Sequence, residues 1–285
     1  MKHLFACALF FIQFFATAQM TTIQITDQES KQPVEFASIL LPGYKKSFVT
    51  DGRGILQLDT NIYKLPLKIT VEQFSYESKE LTLQNETKVY NVLLVPTSEL
   101  LQEVIIPPAN AKIKERTYGR KGEGSGKIVG VFRNYDQENK SSGLEFGMIL
   151  NTGNKLKKLK KVHWHIKEAS FSKAVFGLQF YEVENGKPGK RIPHPELNFS
   201  VKGGQTGWLV INMEDLDIYF DKTSKIAAVL KTQQITFDKS KGEGSLALNV
   251  GFAANNVMVG RDSQFEEWEK LPLNYPFYIT VDSYE

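Results

Sequence analysis

Val34-Glu35-Phe36-Ala37-Ser38-Ile39-Leu40-Leu41 sorts its side chains onto two faces, Val34, Phe36 and Ser38 on one and Ala37, Ile39 and Leu41 on the other, as a β-strand requires. Pro42-Gly43 closes it. Further on, Thr50-Asp51-Gly52-Arg53-Gly54 supplies the positive-φ freedom that a tight hairpin needs, and Ile55 to Leu58 resumes the period-two pattern. A chain organised in this way builds sheets.

The pattern extends outward in both directions. Apolar and β-branched residues recur at period two in short bursts broken by Gly, Pro, Asn and Asp, and no window sustains a helical three-to-four spacing over four turns. Expected strands in the first half are Thr21 to Thr26, Val34 to Leu41, Ile55 to Leu58, Leu67 to Phe74, Lys79 to Leu83 and Val89 to Val95. Turn signals spaced by about 8 to 12 residues indicate a sandwich, not a parallel sheet, which would need crossover helices.

After Pro107-Pro108 comes a stretch, Ala109 to Gly126, in which Lys, Arg, Glu and Gly dominate and apolar periodicity disappears. The strand pattern then returns at Lys127 to Arg133, Leu144 to Leu150, Lys158 to Lys167, Ala174 to Val183, Gly207 to Ile211, Ile226 to Leu230, Ile235 to Phe237, Leu246 to Phe252 and Phe277 to Val281. The expected organisation is a signal at 1–18, a first β-sandwich at 19–108, a linker at 109–118 and a second, jelly-roll-like antiparallel sandwich at 119–285. The fold class is all-β. Short helices are expected only at Ser98 to Gln102 and at Ser263 to Lys270, where Ser263 and Glu266 stand at capping-box spacing.

The first residues bear on location. Lys2, the apolar run Leu4 to Phe15 and the small-x-small site Ala16-Thr17-Ala18 before Gln19 have the anatomy of a cleaved signal, so the expectation is export to the periplasm or cell surface. Cys7, the single cysteine, falls inside that signal, and cleavage removes thiolate chemistry and disulfides from the mature chain. Leu4-Phe5-Ala6-Cys7 has little apolar sequence before it and is a poorer processing site than Ala16-Thr17-Ala18. No later segment approaches the roughly 20 apolar residues of a membrane span. A formal net charge of +3 gives no electrostatic footprint for nucleic acid.

Gln32 to Ile39, Thr50-Asp51-Gly52-Arg53-Gly54, Ile69-Thr70-Val71 with Phe74-Ser75-Tyr76, and Leu100 to Ile106 follow one another in an ordered series. That series resembles the carboxypeptidase regulatory-like family, a transthyretin-like sandwich at the amino end of many exported and outer-membrane proteins. Ile23, where the family usually has Gly, and the Gly-less Phe74-Ser75-Tyr76 depart from it. The resemblance implies an accessory, non-catalytic module. From Thr117 onward, Phe180-Tyr181-Glu182-Val183 before Asn185-Gly186, and Gly207-Trp208-Leu209-Val210-Ile211-Asn212, resemble a second domain found behind such modules, for which the resemblance implies no chemistry.

Candidate binding residues cluster on one expected strand. His163-Trp164-His165 places two imidazoles on one strand face, the start of a sheet-based zinc site, yet no carboxylate is placed by sequence as a third or fourth ligand and His194 lies between Pro193 and Pro195. Neither a metal nor another cofactor is expected. Lys155, Lys157, Lys158, Lys160 and Lys161 form a basic run that would meet an anionic glycan, phosphate or lipopolysaccharide, or serve as solvated edge-strand lysines. Trp164, Trp208 and Trp268, with Tyr135 and Tyr181, are candidates for a sugar-stacking platform or for core aromatics. Asp215, Asp217 and Asp221 alternate with Leu216, Ile218 and Phe220 as the outer face of a strand would.

The expected ligand-binding residues are therefore Lys158, His163, Trp164, His165 and Trp208, with no catalytic residue assigned. The expected function is non-catalytic binding or assembly at the cell envelope, with a glycan or an outer-membrane protein as partner. A different reading makes the second domain a hydrolase of envelope polysaccharide using carboxylates such as Glu168, Glu182 or Glu184. A third treats the chain as a structural adaptor and predicts a flat apolar patch instead of a groove.

Overall fold

The computed structural model describes residues 20–84, 88–97, 105–124, 128–133, 143–221, 223–237 and 244–285. The signal, the helix expected at Ser98 to Gln102 and Tyr135 fall outside the described residues. Within them every regular element is a strand except two single-turn 3-10 helices, Pro42–Tyr44 and Glu214–Leu216.

The first half comprises β1 (Met20–Asp27), β2 (Ser38–Leu41), β3 (Lys46–Val49), β4 (Ile55–Asp59), β5 (Leu67–Glu72), β6 (Lys79–Leu83) and β7 (Val89–Leu94). One sheet runs β4-β1-β7, with β1 and β7 parallel, and the other runs β3-β2-β5-β6. Ile23, Ile25, Leu58 and Leu94 from the first face Ile39, Leu41, Ile69 and Val71 from the second in one buried cluster. Period-two alternation produces this directly, since each strand turns every other side chain inward. The 51–55 turn is tied by Asp51 Oδ1, which accepts from the amides of Arg53 and Ile55 at 2.9 Å each, and Gly54 sits at φ 71°.

The strand expected from Val34 begins only at Ser38. Phe36 adopts φ 53°, outside the sheet region, and the amide of Ala37 donates to the Thr50 hydroxyl at 2.8 Å instead of entering a ladder.

The second half contains β8 (Ile113–Arg120), β9 (Val129–Arg133), β10 (Glu145–Asn151), β11 (Leu156–Ile166), β12 (Glu168–Ala169), β13 (Lys173–Glu184), β14 (Lys187–Arg191), β15 (Asn198–Lys202) and β16 (Gly207–Asn212). It continues with β17 (Tyr219–Phe220), β18 (Lys225–Thr236), β19 (Ser245–Asn249), β20 (Gly251–Phe252), β21 (Met258–Arg261), β22 (Glu269–Leu271), β23 (Leu273–Asn274) and β24 (Phe277–Tyr284). A β14-β13-β18-β10-β21-β22 sheet packs on a β16-β11-β24-β8 sheet, and β12-β19-β9 forms a smaller one. Phe146, Phe176 and Ala228 from the first meet Trp164, Phe277 and Ile279 from the second, with Trp164 edge-on to Phe176 at 5.2 Å. The protein is all-β, as the periodicity predicts.

Three expectations are corrected. The segment read as a linker holds most of β8, an edge strand paired along its whole length with β24 from Phe277↔Arg120 to Tyr284↔Ile113. Its polar composition suits an edge that meets water on several sides and so carries no apolar period. Ser263 to Lys270 makes a turn, not a helix: the Ser263 hydroxyl accepts from the Phe265 amide at 3.3 Å, and the chain enters β22 by Glu269. Asp215 lies in the second 3-10 helix and Asp217 in a left-handed conformation at φ 47°, so no strand presents these aspartates as a row.

The two apolar clusters meet along a polar seam. Lys231, buried at 5 % exposure, donates from Nζ to the Ser38 hydroxyl at 2.6 Å, and the Arg191 guanidinium lies 3.4 Å from the Phe74 ring centroid. His194 is tilted against the same Phe74 at 6.1 Å. Its Nδ1 donates to the Pro195 carbonyl at 2.7 Å while Nε2 accepts from the Phe180 amide at 3.3 Å, a pattern that only the neutral imidazole satisfies. Burial, reinforced by the charge of Arg191, pulls the pKa down to about 4. The unfolded imidazole protonates near pH 6.5, so between 6.5 and 4 the unfolded state binds more protons and stability falls as pH drops, by about 3 kcal/mol at the lower end. Urea unfolding at several pH values is expected to show this slope in the wild type and a shallower one in His194→Gln. Equal slopes would remove His194 from the account.

Candidate functional site

β11 decides where the candidate residues point. On its C-terminal half Val162, Trp164 and Ile166 face the core, so His163 and His165 must face out. Trp164 is therefore corrected: at 0 % exposure it is a core anchor packed on Phe146 and Phe176 and touches no ligand. Antiparallel pairing then brings Trp208 of β16 opposite His165, and Tyr278 of β24 opposite His163.

These four rings make one cluster on the outer sheet face. His163 stacks on Tyr278 with centroids 4.0 Å apart and planes 8° apart, and Trp208 meets Tyr278 edge-on at 5.3 Å and His165 at 5.2 Å. Trp208, Tyr278 and His163 are half-buried, and Val210 beside them is exposed. One hydrogen bond holds the cluster, between His163 Nε2 and the Thr280 hydroxyl at 3.1 Å, and the Glu123 carboxylate approaches His165 Nε2 at 3.6 Å. His163 is held below the ordinary histidine range by burial first and by the charges of Lys161 and Lys121 second. Gly119 opposes Tyr278 on the edge strand at φ 122°, where any Cβ would overlap the Phe277 carbonyl oxygen. Gly119→Ala is expected to push β8 off β24 and to cost about 1–3 kcal/mol in thermal or urea unfolding.

The basic run resolves into separate roles. A bulge between Leu159 and Lys161 puts Lys160 and Lys161 on the same outer side, whereas Lys157 turns inward, fully buried, and donates to the carbonyls of Lys155 and Thr223. Lys158 is bound to Asp217 at 2.5 Å, and its pKa is raised chiefly by that bond. Lys160 has Glu115 at 3.0 Å, Asp282 at 3.6 Å and Glu214 at 3.9 Å, and Lys161 reaches Glu214 at 4.0 Å. Lys158 is thus placed on the face, but in an ion pair below the rings.

The other aromatics lie elsewhere. Trp268 and Tyr181 pack together at 5.9 Å in a separate apolar cluster on the far sheet, with the Arg261 guanidinium 4.3 Å over Trp268. A cleft of about 290 Å³ near them is lined by Phe146, Met258, Glu145, Arg261, Asp262 and Glu269 among others. Glu168, Glu182 and Glu184 are exposed and none of them lines it. Among the described residues no group of three or more His, Asp or Glu is arranged to hold a metal ion, and no helix is long and apolar enough to cross a membrane.

The ordered motifs of the first half match a family model over residues 24–106. These residues form a CarboxypepD_reg-like domain. That domain supplies Ser38, Phe74 and the rest of the near side of the polar seam, and the aromatic face belongs to the chain beyond it. No curated protein matches the chain. Among solved structures, the cysteine protease and lectin-like domains of Cwp84, a surface layer associated protein of Clostridium difficile, are 12 % identical with a TM-score of 0.35 over 54 % of this chain. The match spans 36 % of that protein's chain. A putative carbohydrate binding protein from Bacteroides uniformis is 9 % identical with a TM-score of 0.25, covering 90 % of this chain and 97 % of that one. A carbohydrate-binding module of the beta-sandwich super family is 13 % identical with a TM-score of 0.20, covering 80 % and 95 %.

Proposed function

We propose that this is an exported, non-catalytic binding protein of the cell envelope that holds a glycan on the outer face of the β16-β11-β24-β8 sheet. The observation that carries the reading is the cluster of Trp208, Tyr278, His163 and His165 outside the core, on strands that already have a full apolar interior. His165 is buried, and Trp208, Tyr278 and His163, left half-open on a rigid sheet, offer the apolar face of a pyranose a large contact at little entropic cost. Export rests on the signal-like residues 1–18, and an accessory role on the CarboxypepD_reg-like domain beside the binding domain.

The binding reading differs from hydrolysis in what surrounds the rings. Most of the nearby carboxylates, Glu115, Glu214, Asp217 and Asp282, are engaged with lysines, and Glu123 faces His165. The test is titration of the full mature chain with a panel of soluble oligosaccharides by calorimetry, with reducing-end release measured in parallel. Saturable binding without release is the expected result. Failure to bind any saccharide, or steady release of reducing ends, overturns the reading.

A further inference from the structure

We propose that the cleft at the β10-β21-β22 edge binds a small organic cation, a primary ammonium carried on an apolar stem; the site lies on the sheet opposite the aromatic face and stands without the glycan reading. Gly260 makes the space. It pairs with Phe146 on one side and with Glu269 on the other, and cross-strand partners share a face, so the row Phe146-Gly260-Glu269 has no side chain at its centre. The neighbouring row sets Met258 beside Leu271, Leu144 packs on the same core as Phe146, and Val131 closes the space from β9. The cavity of about 290 Å³ that results has an apolar floor and, at the exposed Val131 and Leu271, an apolar lip. Its volume stands at the small end of the range for small-molecule sites.

Charge selects the ligand. Asp262, Glu266 and Glu269 line the same cleft and are exposed, and Glu266 is fixed there because its Oε2 accepts from the Asp262 amide at 3.2 Å. Among the described residues none of these three carboxylates has a basic side chain within 4 Å, since the cations around them are committed elsewhere: Arg261 to Glu145 and Lys187 to Glu267. Lys270 stands opposite Val259, on the other face of β22, with its ammonium beside Gly186. An anion gains nothing here. The one guanidinium in the lining, that of Arg261, lies 4.3 Å over Trp268, and taking it from Glu145, which is 1 % exposed, would strand a buried carboxylate. An ammonium meets three carboxylates that no other cation holds, and its stem covers Phe146, Met258 and Leu271.

The experiment titrates hexylamine, 1-hexanol and hexanoate, three probes with one stem, into the full mature chain at neutral pH and follows backbone amide shifts by NMR. Hexylamine is expected to bind saturably, with the largest shifts at 144–146, 258–262 and 269–271, at least about tenfold more tightly than hexanol, and about threefold or more weaker at ~0.3 M salt. Hexanoate is expected to give no saturable shift. Gly260→Leu fills the space: a Cβ there meets the Glu145 carbonyl oxygen at 3.3 Å and the Phe146 Cβ at 4.0 Å, so the sheet accommodates it with a small shift. Hexylamine affinity in that variant is expected to fall at least about tenfold. Glu269→Gln changes an exposed side chain, keeps the fold whatever the glycine variant does, and is expected to weaken hexylamine by about threefold or more with hexanol unchanged. Trp208→Ala is expected to leave hexylamine binding as in the wild type, so failure of this site and failure of the aromatic face are read separately. Equal affinity for hexylamine and hexanol, saturable binding of hexanoate, shifts confined to other strands, or no binding of hexylamine each overturns the inference.

Discussion

Trp208→Ala and Tyr278→Ala are each expected to weaken glycan binding by about 30-fold or more, the effect of removing a central aromatic anchor worth roughly 2 kcal/mol or above. The two rings meet edge-on with centroids 5.3 Å apart, Tyr278 stacked on His163 and Trp208 against His165, so the double variant should lose less than the product of the single losses. Both rings are half-buried and stand outside the main core, so melting temperatures should change little beside the loss of binding. Trp164→Ala provides the contrast. That ring is wholly buried among Phe146, Phe176 and Phe199, and its removal is expected to destabilise the fold by about 3–5 kcal/mol without directly touching a ligand. Calorimetric titration and thermal unfolding on the same samples separate the two cases. If binding survives in both Trp208→Ala and Tyr278→Ala, the ligand sits elsewhere on the molecule.

Much of this face was legible from local sequence. Alternation along His163-Trp164-His165 is enough to put the imidazoles on one side and the indole on the other, and the same rule predicts that only one side of β11 can be core. What local sequence did not supply is partnership. Tyr278 lies more than a hundred residues from His163, and only the β11–β24 register makes them stack. Phe277-Tyr278-Ile279 does alternate, so the outward Tyr278 was available to the same argument once the strand was recognised. The bulge at Lys160 was not available, because nothing in a run of lysines marks where one residue will be added to the outer side. Without it, five lysines read as one positive patch; in the structure Lys157 turns inward and Lys158, Lys160 and Lys161 find carboxylates. β8 was missed for a related reason. An edge strand with water on several sides needs no apolar period, and its backbone pairing with β24 leaves little trace in side-chain chemistry.

The seam between the two apolar clusters gives the second large effect. Glu145 is 1 % exposed and bound to the Arg261 guanidinium, and Lys231 is buried nearby with its ammonium on the Ser38 hydroxyl. Burial pushes Lys231 below the ordinary lysine range, and the Glu145 charge is the largest influence opposing that shift. Removing the carboxylate leaves two cations in low dielectric with no counter-charge of equal burial, and Glu145→Gln is expected to cost about 3–5 kcal/mol. Lys231→Met is expected to cost less than about 1 kcal/mol, because Glu145 keeps Arg261 and the loss of one hydroxyl contact is offset by the desolvation no longer incurred. Urea unfolding of the two variants and of the double variant closes the cycle: Lys231→Met should restore part of what Glu145→Gln removes, with a coupling of about 1–3 kcal/mol. A Glu145→Gln variant as stable as the wild type would mean that the seam is neutralised by another group, and a costly Lys231→Met would mean that the bond to Ser38 is what holds the CarboxypepD_reg-like domain against its neighbour.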